Sequence, residues 1–151
     1  MCGIVGYTGP QKAVPSLMDG LRKLEYRGYD SAGIAVQEKE GLIFDKTAGK
    51  ISALEEKIRD RHCEAVCGIA HTRWATHGEP NTINAHPHFD SHEKMAIVHN
   101  GIIENYRSLR EYLEKNGHNF KTETDTEILV HLIEEYYEGN LLEAVRTALV
   151  F

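Results

Sequence analysis

MCGIVGYTGP, residues 1–10, reads as a short buried strand over Cys2 to Thr8 that is stopped by the turn pair Gly9-Pro10. Ile4 and Val5 point to opposite faces of that strand, so the start of the chain is expected to be pinned in a sheet. The next pattern changes period. From Ala13 to Glu25 the apolar residues Val14, Leu17, Met18, Leu21 and Leu24 recur at helical spacing, and Pro15 is tolerated because it falls in the first turn. Ser31 to Gln37 and Leu42 to Phe44 read as a hairpin around Glu40-Gly41. Ala65 to Ala70 and Met95 to Val98 read as further strands, apolar on both faces, which therefore need cover on each side. Helices follow at Asn105 to Asn116, closed by Gly117, at Asp125 to Glu138, closed by Gly139, and from about Leu141 onward. Strands first and helices later predict an α+β layered sandwich rather than alternating βαβ units.

With 151 residues the chain has room for one domain, residues 1–151, and one packed core. An apolar fraction of 41% and a charged fraction of 26% are those of a globular chain and exclude a disordered or fibrous one. A formal net charge of −6 argues against a nucleic-acid partner, which needs a surplus of Lys and Arg. The sequence holds no apolar run long enough to cross a membrane, and the start lacks a secretory pattern, so a cytoplasmic location is expected. Three cysteines, Cys2, Cys63 and Cys67, form an odd set, better read as free thiols than as a disulfide framework.

Two features carry chemistry. The segment from Arg73 to His92 is long, polar and rich in His, with Gly78, Pro80 and Pro87 and neither period; long unpatterned loops in compact domains are usually functional. The other is Cys2. Loss of Met1 would leave a thiol and a free α-amine on one residue, and an amine titrating at about 7.7 to 8.0 can serve as a base near neutrality. From position alone, Cys2 reads equally well as a small buried hydrophobe.

The blocks MCGIVGY, EYRGYDSAG, HTRWATHG, NAHPH, VHNGIIENY and ETDTE, in order from Met1 to about Val145, together resemble the glutaminase domain of the glucosamine-6-phosphate synthase family. That family belongs to the class II glutamine amidotransferases, which are N-terminal-nucleophile hydrolases. The resemblance implies a four-layer αββα sandwich, no cofactor, and hydrolysis of the side-chain amide of L-glutamine through a Cys2 thioester. It implies Cys2 as nucleophile with its own amine as base, and Asn100 and Gly101 as the oxyanion hole. Arg73 would clamp the α-carboxylate of glutamine, Thr76 and His77 would complete that pocket, and Asp125 would meet the α-ammonium. Trp74 would lie on the loop that covers the bound amino acid. Arg27 and Gly28 would border the nucleophile; independently of the resemblance, His86 and His88 are read as residues that order the loop through hydrogen bonds.

Plainer readings stand beside these. Asn100-Gly101 is also a turn dipeptide, Asp125 also the acidic start of a helix where Thr124 and Glu127 form a capping box, and Arg73-Trp74 also a cation–π surface pair. His71, His77, His86, His88, His92 and His99 lack the paired spacing of zinc sites, so no metal is expected, and Cys63 and Cys67 are expected to be core thiols. The family's glutaminase domain continues beyond RTALVF, so the sheet is expected to be short at the C-terminus with uncovered apolar edges. A sugar-phosphate acceptor, and homo-oligomerisation, would belong to the full-length form with its further domains. The alternatives are a fragment that binds glutamine without turnover, or an amidotransferase with a phosphoribosyl or aspartyl acceptor.

Overall fold

A computed structural model describes residues 2–75 and 78–151. Gly3–Thr8 forms β1, Ala13–Leu24 forms α1, and a 3-10 turn over Glu25–Arg27 leads to the hairpin β2 (Ser31–Glu38) and β3 (Gly41–Ala48). Next come α2 (Ile51–Ile58), β4 (Cys67–Arg73), β5 (His88–Phe89) and β6 (Ala96–Ile97). Three helices close the chain: α3 (Tyr106–Lys115), α4 (Thr126–Glu135) and α5 (Leu141–Ala148). The first four strands pair antiparallel in the order β1-β4-β2-β3, and β5 pairs with β6.

The side-chain alternation of β2 and β4 explains the layering. Ala32, Ile34 and Val36 of β2 and Ala70 of β4 face the helices and pack with Ala13, Leu17, Met18 and Leu21 of α1 and Ile51 and Leu54 of α2. The opposite face carries Gly33, paired in register with His71, and the two-residue step from His71 places Arg73 on that same face. Onto this face comes the second, smaller sheet. Phe44 of β3 meets Phe89 of β5 at 4.2 Å between ring centroids, and His71 stacks on His86 at 4.1 Å. Gly33 makes that approach possible, since a Cβ there would lie 2.1 Å from the His86 carbonyl oxygen. Behind the small sheet, Leu109 and Leu113 of α3, Ile128, Leu132 and Ile133 of α4, and Ala144 and Ala148 of α5 form a second core, with Met95 and Ile97 packed against it. The result is the expected α+β sandwich of four layers.

Several boundaries move. The first strand is an edge strand with Ile4 exposed, not a buried one, because only its Val5 and Tyr7 face joins the α1 core. The fourth strand starts at Cys67 and runs to Arg73 instead of spanning Ala65 to Ala70, so Cys67 is exposed and only Cys63 is half-buried. Helix α4 ends at Glu135 rather than Glu138. The helix α2 has no counterpart in the sequence reading, and β5 lies inside the segment read as unpatterned. Among the described residues no helix is long and apolar enough to cross a membrane.

Candidate active site

The pocket lies at the ends of β1 and β4, where the chain start, the segment after Arg73, the Asn100 turn and the beginning of α4 meet. Its volume is about 370 Å³, and Cys2, Arg27, Arg73, Trp74, His86, Asn100, Gly101 and Asp125 line it. Thus most residues singled out from sequence are brought together. Thr76 and His77 lie outside the described residues. His99, Ile102, Thr124 and Thr126 also line the pocket and were not anticipated as pocket residues.

Cys2 precedes the first sheet residue, and two backbone contacts fix its sulfur. The Trp74 N–H donates to Sγ at 3.2 Å, and the thiol in turn reaches the Trp74 carbonyl at 3.4 Å. Gly28 supports this arrangement from behind. A Cβ on Gly28 would lie 2.7 Å from the Arg73 carbonyl carbon and oxygen and 3.1 Å from the Trp74 nitrogen. Asp30 adds a second anchor: it accepts from Ser31 Oγ at 2.9 Å and from the Ala75 N–H, so the strand-to-loop transition after Arg73 is tied to β2. The Trp74 ring, 47% exposed, packs edge-on against Tyr29 at 5.6 Å.

Asn100 donates through Nδ2 to the Cys2 carbonyl at 3.4 Å, while its Oδ1 lies 2.9 Å from His71 Nε2. An amide oxygen can only accept, so His71 presents an Nε2–H. Burial holds His71 down to about 4, against the pull of Asn100, so the ring is neutral at ordinary pH. Gly101 follows with φ of +155°, a conformation that favours glycine, and a Cβ there would lie 2.8 Å from Nε2 of His99. That ring is held in place by its Nδ1, 3.2 Å from Thr126 Oγ1.

Arg73 is only 3% exposed, and its guanidinium donates to the carbonyls of Glu79 at 3.1 Å and Gly78 at 3.3 Å. Asp30, Cys2 and Asp125 are the negative or ionisable groups that act on it electrostatically. Asp125 Oδ2 accepts from the Ile103 N–H at 2.8 Å, and the Asp125 side chain makes no cap to its own helix. Nor does the expected capping box form. Glu127 accepts instead from Lys121 N, Thr122 N and Thr122 Oγ1, whereas Thr124 Oγ1 turns to His88 Nε2 at 2.9 Å. Asn84 and Glu123 tie the loop after Arg73 to this same segment, with Asn84 donating to Glu123 at 3.0 Å and accepting from the Glu123 N–H at 3.0 Å. His86 accepts from the His99 N–H at 3.4 Å and lies against both His71 and His88.

The arrangement therefore joins a thiol to a neighbouring carboxamide donor, a fixed guanidinium and a fixed carboxylate within one pocket. A family model described as a glutamine amidotransferase domain matches residues 57–146. The chain belongs to that family. It is 58% identical over 149 residues, 99% of its length, to a glutamine-fructose-6-phosphate aminotransferase (isomerizing) from Thermus thermophilus, of which it covers 25%. A protein of the same name from Clostridium perfringens is 53% identical, with 98% of this chain and 24% of the relative covered. The chain thus spans about a quarter of the length of these curated relatives. Among solved structures, it is similar to the glutamine phosphoribosylpyrophosphate amidotransferase of B. subtilis, with a TM-score of 0.83 and 29% identity over 99% of this chain and 32% of that one. A second structure, described as the allosteric regulatory enzyme of purine biosynthesis, gives a TM-score of 0.86 and 32% identity over 99% of this chain and 33% of that one.

Proposed function

We propose that this domain hydrolyses the side-chain amide of free L-glutamine with Cys2 as nucleophile. The observation that carries the reading is the placement of the Cys2 thiol in one pocket with Asn100, Arg73 and Asp125. Once Met1 is removed, the α-amine of Cys2 takes the thiol proton, and Sγ attacks the amide carbon. The amide oxygen becomes an anion that the Asn100 side-chain N–H and the Gly101 backbone N–H stabilise, contacts worth about 10² to 10³ in rate for each donor. The ammonium of Cys2 returns its proton to the leaving nitrogen, ammonia departs, and a thioester remains. Water then attacks the thioester, with the amine again taking a proton, and glutamate leaves as the thiol is restored. Arg73 pairs with the α-carboxylate and Asp125 with the α-ammonium, so both charged ends of a free amino acid are read.

As part of the same reading, residues 1–151 serve as the amidotransferase part of a longer, cytosolic homo-oligomeric assembly, and the ammonia goes to a sugar phosphate bound by other domains. The identity to glutamine-fructose-6-phosphate aminotransferases supports that acceptor over a phosphoribosyl one. An ammonia-release assay on protein whose intact mass shows loss of Met1 tests the hydrolysis. Replacing Cys2→Ala should abolish release and labelling by a glutamine-analogue electrophile while leaving the fold intact; retained turnover in that variant would overturn the assignment.

A further inference from the structure

Apart from the residues that line the Cys2 pocket, three further side chains converge. His118 follows α3, and His131 and Glu134 lie three residues apart on one face of α4. His118 Nδ1 lies 3.2 Å from His131 Nδ1 and 3.4 Å from Glu134 Oε2, and His131 Nδ1 lies 3.2 Å from the same Oε2. Among the described residues this is the group of three possible ligand atoms that close together.

The outer nitrogens decide what the inner ones carry. His118 Nε2 lies 2.9 Å from Glu135 Oε2, and a carboxylate only accepts, so the proton of that ring is on Nε2. His131 Nε2 is buried without a hydrogen bond, and the nearest carboxylate oxygen to it, Glu127 Oε1, stands 3.7 Å away, so a proton on that nitrogen points at negative charge. With its proton on Nε2, each ring turns a bare Nδ1 toward the other and toward the Glu134 oxygen. Three electron-rich atoms at this separation repel one another unless a cation lies between them. Ser91 donates to Glu134 Oε2 through Oγ at 2.8 Å and through its N–H at 3.1 Å, which satisfies that oxygen but leaves the two facing Nδ1 atoms against each other. In a tetrahedral zinc site with bonds of about 2.05 Å the donor atoms are about 3.3 to 3.4 Å apart, the size of the triangle found here. The Glu135 carboxylate on the distal nitrogen of His118 is the kind of partner that orients a metal-bound histidine and raises its basicity. His131 and Glu134 also lie in the last part of α4, where the helix carbonyls favour positive charge.

We propose that His118, His131 and Glu134 bind one divalent transition-metal ion of the zinc type, with a water or the Ser91 hydroxyl at the fourth position. Such an ion joins the α3–α4 connection and the segment at Ser91 to the body of α4, the helix whose start presents Asp125 and Thr126 to the pocket. It is a brace for that helix and takes no part in chemistry at Cys2. His118 and Glu134 are partly accessible at side-chain exposures of 9% and 16%, which gives the ion a way in from solvent.

Metal-stripped protein titrated with Zn²⁺ by calorimetry, and with Co²⁺ followed by visible absorption, tests this directly. The expected result is saturation at one equivalent, tetrahedral cobalt bands without a thiolate charge-transfer band, and an unfolding midpoint that rises with zinc concentration. His118→Gln and Glu134→Gln, chosen because neither side chain is at the bottom of the core, should each weaken binding by at least about tenfold and remove the zinc-dependent rise in the midpoint. Absence of saturable uptake by the folded protein would overturn the proposal, leaving the cluster as an imidazolium–carboxylate pair. Unchanged uptake in both variants, or a thiolate band with cobalt, would overturn it equally by placing the metal on cysteine.

Discussion

His71 Nε2 holds the side-chain oxygen of Asn100 from 2.9 Å, and this contact turns the Asn100 amide nitrogen toward Cys2. The relationship crosses from β4 to the turn after β6 and fixes which way a nearly symmetrical carboxamide points. Replacing His71→Leu removes the donor and lets that amide rotate. The expected outcome is a fall in kcat for glutamine hydrolysis of about ten- to a hundredfold, less than the loss of an oxyanion donor itself, with KM little changed. His71→Gln, which keeps an N–H, should recover part of the rate. Equal loss in both variants, or a change in KM alone, would show that His71 serves only the fold.

Gly28 and Gly33 both permit close approach, but they guard different things. A Cβ on Gly28 meets the backbone of Arg73 and Trp74, the segment that aims the Cys2 sulfur. Gly28→Ala should therefore slow electrophile labelling of Cys2 and lower kcat by about tenfold or more, with the unfolding midpoint falling modestly. A Cβ on Gly33 meets the His86 carbonyl at 2.1 Å, between the two sheets. Gly33→Ala should cost about 3 kcal/mol in a denaturant titration, since neither backbone can yield without moving a sheet. Labelling and stability measured on both proteins check the contrast.

What the chain makes legible follows from how local the cause is. Helix α1 was readable because Leu17, Met18 and Leu21 repeat with the helix period and bury one face, and α3 because Gly117, with φ of +93°, marks its end. Helix α2 carries the same signal in Ile51, Leu54 and Ile58, but over only eight residues. The site residues came from ordered blocks of sequence, while their contacts did not. Asp125 looks like the start of a helix, yet its carboxylate serves the Ile103 N–H, 22 positions away. His71 was weighed only as a metal ligand, and its partner Asn100 lies 29 positions on. The His118, His131 and Glu134 group went unseen although His131 and Glu134 have a helical i, i+3 spacing, because the third member comes from a different segment. Tertiary closure supplies these pairs, and no local period encodes them.

Acid should destabilise the protein through its buried histidines. Burial presses His71 to about 4 and His88 to about 3, and burial together with its neighbours His71 and His88 lowers His86 as well. In the unfolded chain each titrates near the usual histidine value of about 6.5, so the unfolded state binds more protons below that pH. The stability that these rings contribute is complete above about pH 6.5 and is lost as pH falls toward their folded values, with each ring adding up to about 1.4 kcal/mol per pH unit. Glu127 extends the loss to lower pH. Burial alone would raise it, but the His131 ring and the donors of Lys121 and Thr122 hold it at about 2, so its contribution is present above the ordinary carboxyl range and fades as pH drops toward 2. Denaturant titrations between pH 7 and 4 should show a steep fall, and a flat profile there would contradict neutral buried rings.

Arg73 ends β4 with its guanidinium fixed by the carbonyls of Gly78 and Glu79 before any substrate arrives. Lysine at this position keeps the charge but loses the planar fork that bonds two oxygens at once. For Arg73→Lys the expected outcome is a rise in KM for glutamine of about ten- to a hundredfold, with a smaller change in kcat. Because Arg73 also bonds the loop carbonyls of Gly78 and Glu79, a second substrate separates the clamp from the loop contact. A simple amide of glutamine's length but without the α-carboxylate gains nothing from the clamp, and its kcat/KM should be similar in the two proteins. If the variant is impaired equally on both substrates, Arg73 acts by holding the loop, and recognition of the carboxylate must be assigned to other residues of the pocket.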